Sequence, residues 1–249
     1  MSAEASDAEL APLLEGAAAL GVPLDAVQVE RFARLRAMLL DWNTRVNLTA
    51  ITDPAEVATR LFLDALTCRL ALPAAAPHEP RVLLDVGSGA GFPGLALAIA
   101  CPRWQVTSLE ATAKKVRFQQ AVIAELGLTN ARTIAGRAEE LAHTQDLRAR
   151  FEVVTARALA ALPALLEYCA PFARVGGIVI APKKGELVAE IAAGRAAAKL
   201  LGAQLLPPIP VTVPPLDDGR VLVVARQERP SPAQYPRAAG APLKRPLGA

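Results

Sequence analysis

The chain has 249 residues, 53% of them hydrophobic and 20% charged, a balance that buries a substantial core and excludes a mainly disordered polymer. Its formal charge of +3 is unevenly spread: residues 1–80 carry 6 basic and 11 acidic side chains, residues 81–225 carry 16 and 12, and residues 226–249 carry 5 and 1. Positive charge thus collects in the middle and at the end, which suits a polyanionic partner, with ordinary solvated charge as the alternative.

Residues 8–20 and 25–46 read as helices. In the second, Leu35, Met38, Leu39 and Trp42 recur at helical spacing while Arg31, Arg34, Arg36 and Asp41 point elsewhere. Asp53-Pro54-Ala55-Glu56 then supplies an N-cap acid, a first-turn Pro and a Glu three residues after the cap, starting a third helix that runs to about Leu70. The Ala/Pro-rich stretch from Pro73 to Pro80 closes this N-terminal helical extension, residues 1–80.

From Arg81 the period changes. Apolar runs at 82–86, 106–109, 132–135, 152–156 and 178–181 read as buried strands, with helical patterns at 94–100, 113–126, 160–170 and 186–201 between them. Such alternation implies a parallel sheet covered on both faces. Two more strand-like runs, 204–213 and 220–226, are joined by residues 214–219, too few for a crossover helix, so this pair is expected to be antiparallel. The fold class is therefore α/β: a seven-stranded, mostly parallel sheet over residues 81–228 with an antiparallel last strand. That pattern fits a Rossmann-like class I methyltransferase better than a six-stranded dehydrogenase domain. Residues 229–249, rich in Pro, with four basic side chains and no acid, read as an extended basic tail.

The segment Asp85-Val86-Gly87-Ser88-Gly89-Ala90-Gly91-Phe92-Pro93-Gly94 ends the first of these strands and opens a helix. Glycines there tolerate positive φ and admit a ligand to the bare backbone, and Pro93 suits a first helical position. A strand, a glycine turn and a helix N-terminus make a nucleotide-type crevice. Glu110 ends the second strand 23 residues after Gly87, where an acid commonly accepts hydrogen bonds from a ribose diol. Gly89, Gly91 and Gly94 also satisfy the dinucleotide fingerprint, so NAD is the rival ligand. Asp85 favours S-adenosylmethionine, because a carboxylate beside the turn repels a pyrophosphate and suits an ammonium group. After the third strand, Gly136-Arg137-Ala138-Glu139-Glu140 is placed either to contact an adenine or simply to supply first-turn acids to a helix. Arg157 at the end of the fourth strand sits either where substrate and cofactor meet or in a salt bridge.

Some motifs are missing. No Asn/Asp-Pro-Pro-aromatic motif follows the fourth strand and no Pro-Cys pair occurs, so neither exocyclic amine methylation nor covalent attack on a pyrimidine is indicated. An acceptor with an in-plane lone pair and no proton to lose, such as guanine N7, fits better; orientation then supplies most of the rate and no general base is assigned. Cys68, Cys101 and Cys169 are isolated, and His78 and His143 lack ligand spacing, so neither metal nor disulfides are expected. The acidic start does not read as a signal peptide, and no apolar run reaches about 18 residues without a charge, so a cytoplasmic protein with no membrane partner is expected.

Together these segments resemble the RsmG (GidB) family of bacterial 16S ribosomal RNA guanine-N7 methyltransferases. The resemblance runs through Asn47-Leu48-Thr49-Ala50-Ile51, Phe62-Leu63-Asp64-Ala65-Leu66, Asp85 to Gly94, Glu110-Ala111-Thr112-Ala113-Lys114-Lys115-Val116, Gly136-Arg137-Ala138-Glu139, Ala156-Arg157-Ala158 and Lys184-Gly185. It ends in Tyr235-Pro236-Arg237, Gly240-Ala241-Pro242 and Lys244-Arg245-Pro246-Leu247. The resemblance implies that Gly87, Phe92, Glu110, Ala111, Thr112, Ala138, Glu139 and Arg157 contact S-adenosylmethionine. It further implies methyl transfer to N7 of a guanosine in the decoding-centre loop of 16S rRNA, within the 30S subunit or an assembly intermediate. Leu61 and Ala65 stand where the family often has His and Ser, and Ala181-Pro182-Lys183-Lys184-Gly185 carries an extra Pro and Lys. Lys114, Lys115 and Arg117, with Lys183 and Lys184, are the candidate RNA contacts, a solvated helix face being the alternative for the first group. A monomer is expected.

Overall fold

A computed structural model describes residues 3–74 and 78–248. Residues 75–77 of the linker and Ala249 of the tail lie outside the described residues. The N-terminal extension contains α1 (Ala3–Ala19) and α2 (Ala26–Asn43), the latter started by a capping box in which Asp25 and Gln28 bond reciprocally. The expected third helix starts at Asp53, whose carboxylate accepts from the amides of Ala55 and Glu56. It is not one regular α-helix: α3 (Pro54–Glu56) passes into a π-helical segment (Val57–Leu63), then α4 (Asp64–Leu66) and a 3₁₀ segment (Thr67–Ala71).

The rest alternates: β1 (Arg81–Val86), α5 (Gly94–Ala100), β2 (Trp104–Glu110), α6 (Ala113–Glu125), β3 (Ala131–Ala135), α7 (Ala138–Leu141), β4 (Phe151–Thr155), α8 (Leu162–Cys169), β5 (Ala173–Lys183), α9 (Val188–Leu200), β6 (Ala203–Leu205), β7 (Ile209–Pro210), β8 (Val221–Gln227) and α10 (Ala241–Lys244). The sheet runs β3-β2-β1-β4-β5-β8-β6, with β7 also paired to β8. The first five strands are parallel, and β8 enters antiparallel beside β5. Among the described residues the sheet therefore has eight strands rather than seven. The run 204–213 contains Pro207 and Pro208, which donate no ladder hydrogen bond, and it divides there into β6 and β7, both antiparallel to β8.

Two hydrophobic cores cover the sheet's faces. On one, Leu10, Phe32, Leu39 and Phe62 of the N-terminal extension pack with Leu95, Leu97 and Ile99 of α5 and Phe118 of α6. On the other, α8 and α9 pack with Tyr235 and Leu247 of the tail. Helix α5 is buried along its whole length. Gln28 of α2 ties the extension to it, its amide Nε2 donating to the carbonyls of Ile99 and Ala100 at 2.9 and 3.2 Å.

Strand order reverses at β1, between β2 and β4, so a crevice opens beyond the carboxyl ends of these strands. The register pairs Asp85 with both Ser108 and Thr155. It thereby sets the glycine turn, Glu110 and the 156–158 loop side by side.

Candidate active site

The turn after β1 is held by backbone geometry. Gly87, Gly89 and Gly91 all have positive φ, at +65°, +60° and +92°. The amides of Gly87 and Ser88 both donate to the carbonyl of Leu109, at 2.8 and 3.1 Å. Gln119 of α6, fully buried, donates through Nε2 to the Gly89 carbonyl and to Ser88 Oγ, both at 2.8 Å. Glu110 completes the frame: Oε2 accepts from the Gly89 amide at 2.9 Å and Oε1 from the Thr112 amide at 2.7 Å.

Asp85 faces inward, unlike the sequence expectation of a carboxylate offered to the ligand. It is fully buried, its Oδ2 accepting from the Gly94 amide at 2.8 Å and its Oδ1 from Thr155 Oγ at 3.2 Å. Burial pushes its pKa up to about 7 against those bonds. Its observed role is to fix the start of α5.

A cavity of about 370 Å³ adjoins this turn, within the usual size of small-molecule sites. Of the expected cofactor residues, Gly87, Glu110, Ala111, Ala138 and Glu139 line it. Phe92, Thr112 and Arg157 do not. Phe92 is buried, its ring 5.6 Å from that of Phe62 and 5.9 Å from the Arg157 guanidinium. Thr112 is exposed and meets Glu110 through its amide. Arg137 of the 136–140 loop lines it too, and sequence reasoning missed Leu159, Tyr168, Gly240 and Leu243, which also line the cavity. Only the Gly240-Ala241-Pro242 resemblance hinted at the last two.

A second cavity, about 530 Å³, lies beyond Ala158, which lines both. Ala158 has φ +51°, rare for a residue with a side chain, and such outliers gather at functional sites. The walls include Arg60, Arg157, Lys183, Lys184 and Arg220. Asp64 organises them: Oδ2 accepts from Arg157 Nη1 at 2.9 Å, and Oδ1 accepts from Arg220 Nη1. Arg157 Nη1 also donates to the Arg60 carbonyl at 3.0 Å, in the π-helical segment. Of the two readings open at the sequence level, the salt bridge is the one observed, and Arg157 lines the second cavity only. Lys183 donates to Glu190 and to the Ala160 carbonyl, at 2.7 and 2.9 Å, and Lys184 to Asp218 at 2.8 Å.

Thr49, Ala50 and Ile51 line the second cavity because Asn43 folds their segment, its Oδ1 accepting from the amides of Leu48 and Thr49. Leu61 lines it as well, whereas Ala65 is buried in the core. Of the first lysine group, Lys115 lines the first cavity while Lys114 and Arg117 are exposed on α6. Arg220, set by the turn that follows Asp218, was not anticipated.

A protein of Roseiflexus sp. (strain RS-1) named "Ribosomal RNA small subunit methyltransferase G" is 45% identical over 94% of this chain and 98% of its own length. One of the same name from Dehalococcoides mccartyi (strain CBDB1) is 43% identical over the same shares. Among solved structures, a MtNAS variant in complex with S-adenosylmethionine superposes with a TM-score of 0.52 at 16% identity, covering 82% of this chain and 72% of that one, and shows the shared fold. The model of the family described as "rRNA small subunit methyltransferase G" matches residues 28–208, and the chain belongs to that family.

Proposed function

We propose that the protein transfers a methyl group from S-adenosylmethionine to N7 of a guanosine in the decoding-centre loop of small-subunit 16S rRNA. The observation that carries this reading is the pair of cavities joined at Ala158, one framed by the glycine turn and Glu110, the other walled by arginines and lysines. Family membership supplies the substrate class.

The residues present fit the cofactor. Gly87 lines the cavity at φ +65°, and a Cβ there would stand 2.6 Å from Leu159 Cδ1, so only glycine keeps bare backbone against the cavity. Each Glu110 oxygen uses one lone pair on a backbone amide and keeps another for a ribose hydroxyl. Arg137, Ala138 and Glu139 are suited to the adenine end. When bound, S-adenosylmethionine supplies an electrophilic methyl group on a sulfonium centre.

The second cavity receives the acceptor nucleotide. Arg60, Lys184 and Arg220 attract the phosphate backbone, and affinity from such contacts falls with salt. The base meets the junction at Ala158, which requires it to leave its stack. Guanine N7 attacks through a lone pair, so the chain has only to orient it and keep the path open. Asp64 is neutralised by two arginines and Asp85 is sealed in the core, which leaves neither in the role of a base.

We further propose that the monomer acts in the cytoplasm on a 30S subunit or an assembly intermediate. Incubation of such particles from unmethylated cells with methyl-labelled S-adenosylmethionine, followed by mapping of N7-methylguanosine, tests the reading. Label at one guanosine of the decoding-centre loop is expected. Absence of label from every particle would remove it.

A further inference from the structure

The C-terminal tail, beyond residue 208 where the family model's match ends, is built into the wall of the first cavity. Arg148 clamps the tail's start, its Nη1 donating to the Tyr235 carbonyl at 2.9 Å and its Nη2 to the carbonyls of Ser231 and Pro232 at 2.9 and 3.0 Å. Glu167 of α8, wholly buried, then accepts from Arg237 three times: from the amide at 2.8 Å, Nε at 2.8 Å and Nη2 at 2.7 Å. Beyond this latch the Gly240 amide donates to Glu139 Oε1 at 3.3 Å, and Gly240 and Leu243 form part of the cavity wall. Leu243 remains 58% exposed. An apolar side chain on the wall of a binding cavity, still open to water, gains cover when a ligand is seated.

A buried carboxylate spent on one arginine is a poor source of stability, and such pairs are better explained by what they position. Here the pair fixes the segment that leads to Gly240 and Leu243. We propose that residues 237–243 are the outer wall of the cofactor site and that Arg237 is a positioning residue holding Leu243 against the adenosine part of S-adenosylmethionine. The proposal rests on the reading of this cavity as the S-adenosylmethionine site. The tail thereby sets cofactor affinity without entering the transfer step.

The test uses the full chain: calorimetric titration with S-adenosylmethionine, thermal unfolding, and initial rates on 30S particles, for wild type, Leu243→Ala, Arg237→Ala and Arg237→Lys. Leu243→Ala is expected to raise Kd and KM for the cofactor on the order of tenfold, with kcat and Tm unchanged. Arg237→Ala raises Kd as well, and Arg237→Lys recovers part of the loss by keeping one charged donor on Glu167. Hydrogen exchange of the wild type shows new protection at residues 238–245 on cofactor binding. A Leu243→Ala Kd within about twofold of wild type overturns the proposal whatever Arg237→Ala does, as does an unprotected tail. Wild type that fails to bind S-adenosylmethionine removes the cofactor reading itself, whereas normal wild-type binding with unaltered variants removes only the role of the tail.

Discussion

Replacing Glu110 by Gln separates two tasks that the carboxylate performs at once. Glu110 is nearly buried, and its two oxygens each accept a backbone amide, from Gly89 at 2.9 Å and from Thr112 at 2.7 Å. A glutamine offers one acceptor oxygen. Whichever way its amide is turned, the NH₂ group meets one of those N–H donors head-on. The variant therefore loses one charge-assisted bond and strands a backbone donor, at about 1.5–3 kcal/mol. For a chain of this size that lowers Tm by roughly 3–12 °C. A ribose hydroxyl that had donated to the carboxylate is weakened by a similar amount, so Kd for S-adenosylmethionine rises on the order of 10- to 100-fold. Differential scanning fluorimetry and calorimetric titration measure the two effects on the same sample. A Glu110→Gln protein with Tm within about 1 °C and Kd within about twofold of wild type refutes the reasoning. Lost affinity with an unchanged Tm refutes only the anchoring of the turn.

Asp85, with its pKa raised from 3.8 to about 7, holds more protons folded than unfolded between those values, so stability contributed there falls as pH rises from about 4 to about 7 and levels off above. Asp85→Asn keeps a carbonyl for the Gly94 amide and a donor for Thr155, and is expected to flatten that slope in urea melts; an unchanged slope assigns it to another group. Asp64→Asn leaves Arg157 and Arg220 without their shared partner in a poorly hydrated site, a loss of about 3 kcal/mol by chemical denaturation, and lowers RNA methylation more than cofactor affinity. Equal losses in both would place Asp64 in the cofactor site. Lys114→Ala combined with Arg117→Ala is expected to reduce the slope of log K for RNA against log salt by about 1.4–1.8, from two phosphate contacts, with cofactor titration unaltered. A constant slope removes the exposed face of α6 from the RNA surface.

The parts of the fold legible in the sequence are those written in short stretches. The Asp53 cap, the alternation from β1 to α9 and the glycine turn each depend on residues within a few positions of one another, and local chemistry decides them. Glu110 was legible because its offset from Gly87 follows from one strand–helix–strand unit. What was not legible depends on distant partners. Nothing local distinguishes an Asp85 that faces a ligand from one turned toward Gly94 and Thr155, and the choice is made by β4 lying alongside β1. Gln119 looks like any polar helix residue until the turn beside it supplies Ser88 and Gly89. The division of 204–213 was signalled by two prolines, but the apolar residues around them outweighed that signal. The tail's place on the cavity wall follows from contacts with Arg148 and Glu167, more than 65 residues away in sequence, as the separations of 70 and 87 in those bonds show.

Helix α5 carries one more consequence. Its sequence, Gly94-Leu95-Ala96-Leu97-Ala98-Ile99-Ala100, has no polar face at all, and every residue in it is buried. In a simple two-sided sheet protein the outer face of such a helix meets water and is polar. Here α2 and the helical stretch from α3 to α4 lie over it, and Gln28 satisfies the carbonyls at its end. The protein is thus four layers thick on this side of the glycine turn rather than three. Proteolytic loss of the first 43 residues would lay bare an oily rod directly behind the glycine turn, and aggregation rather than a smaller working enzyme is the outcome that follows.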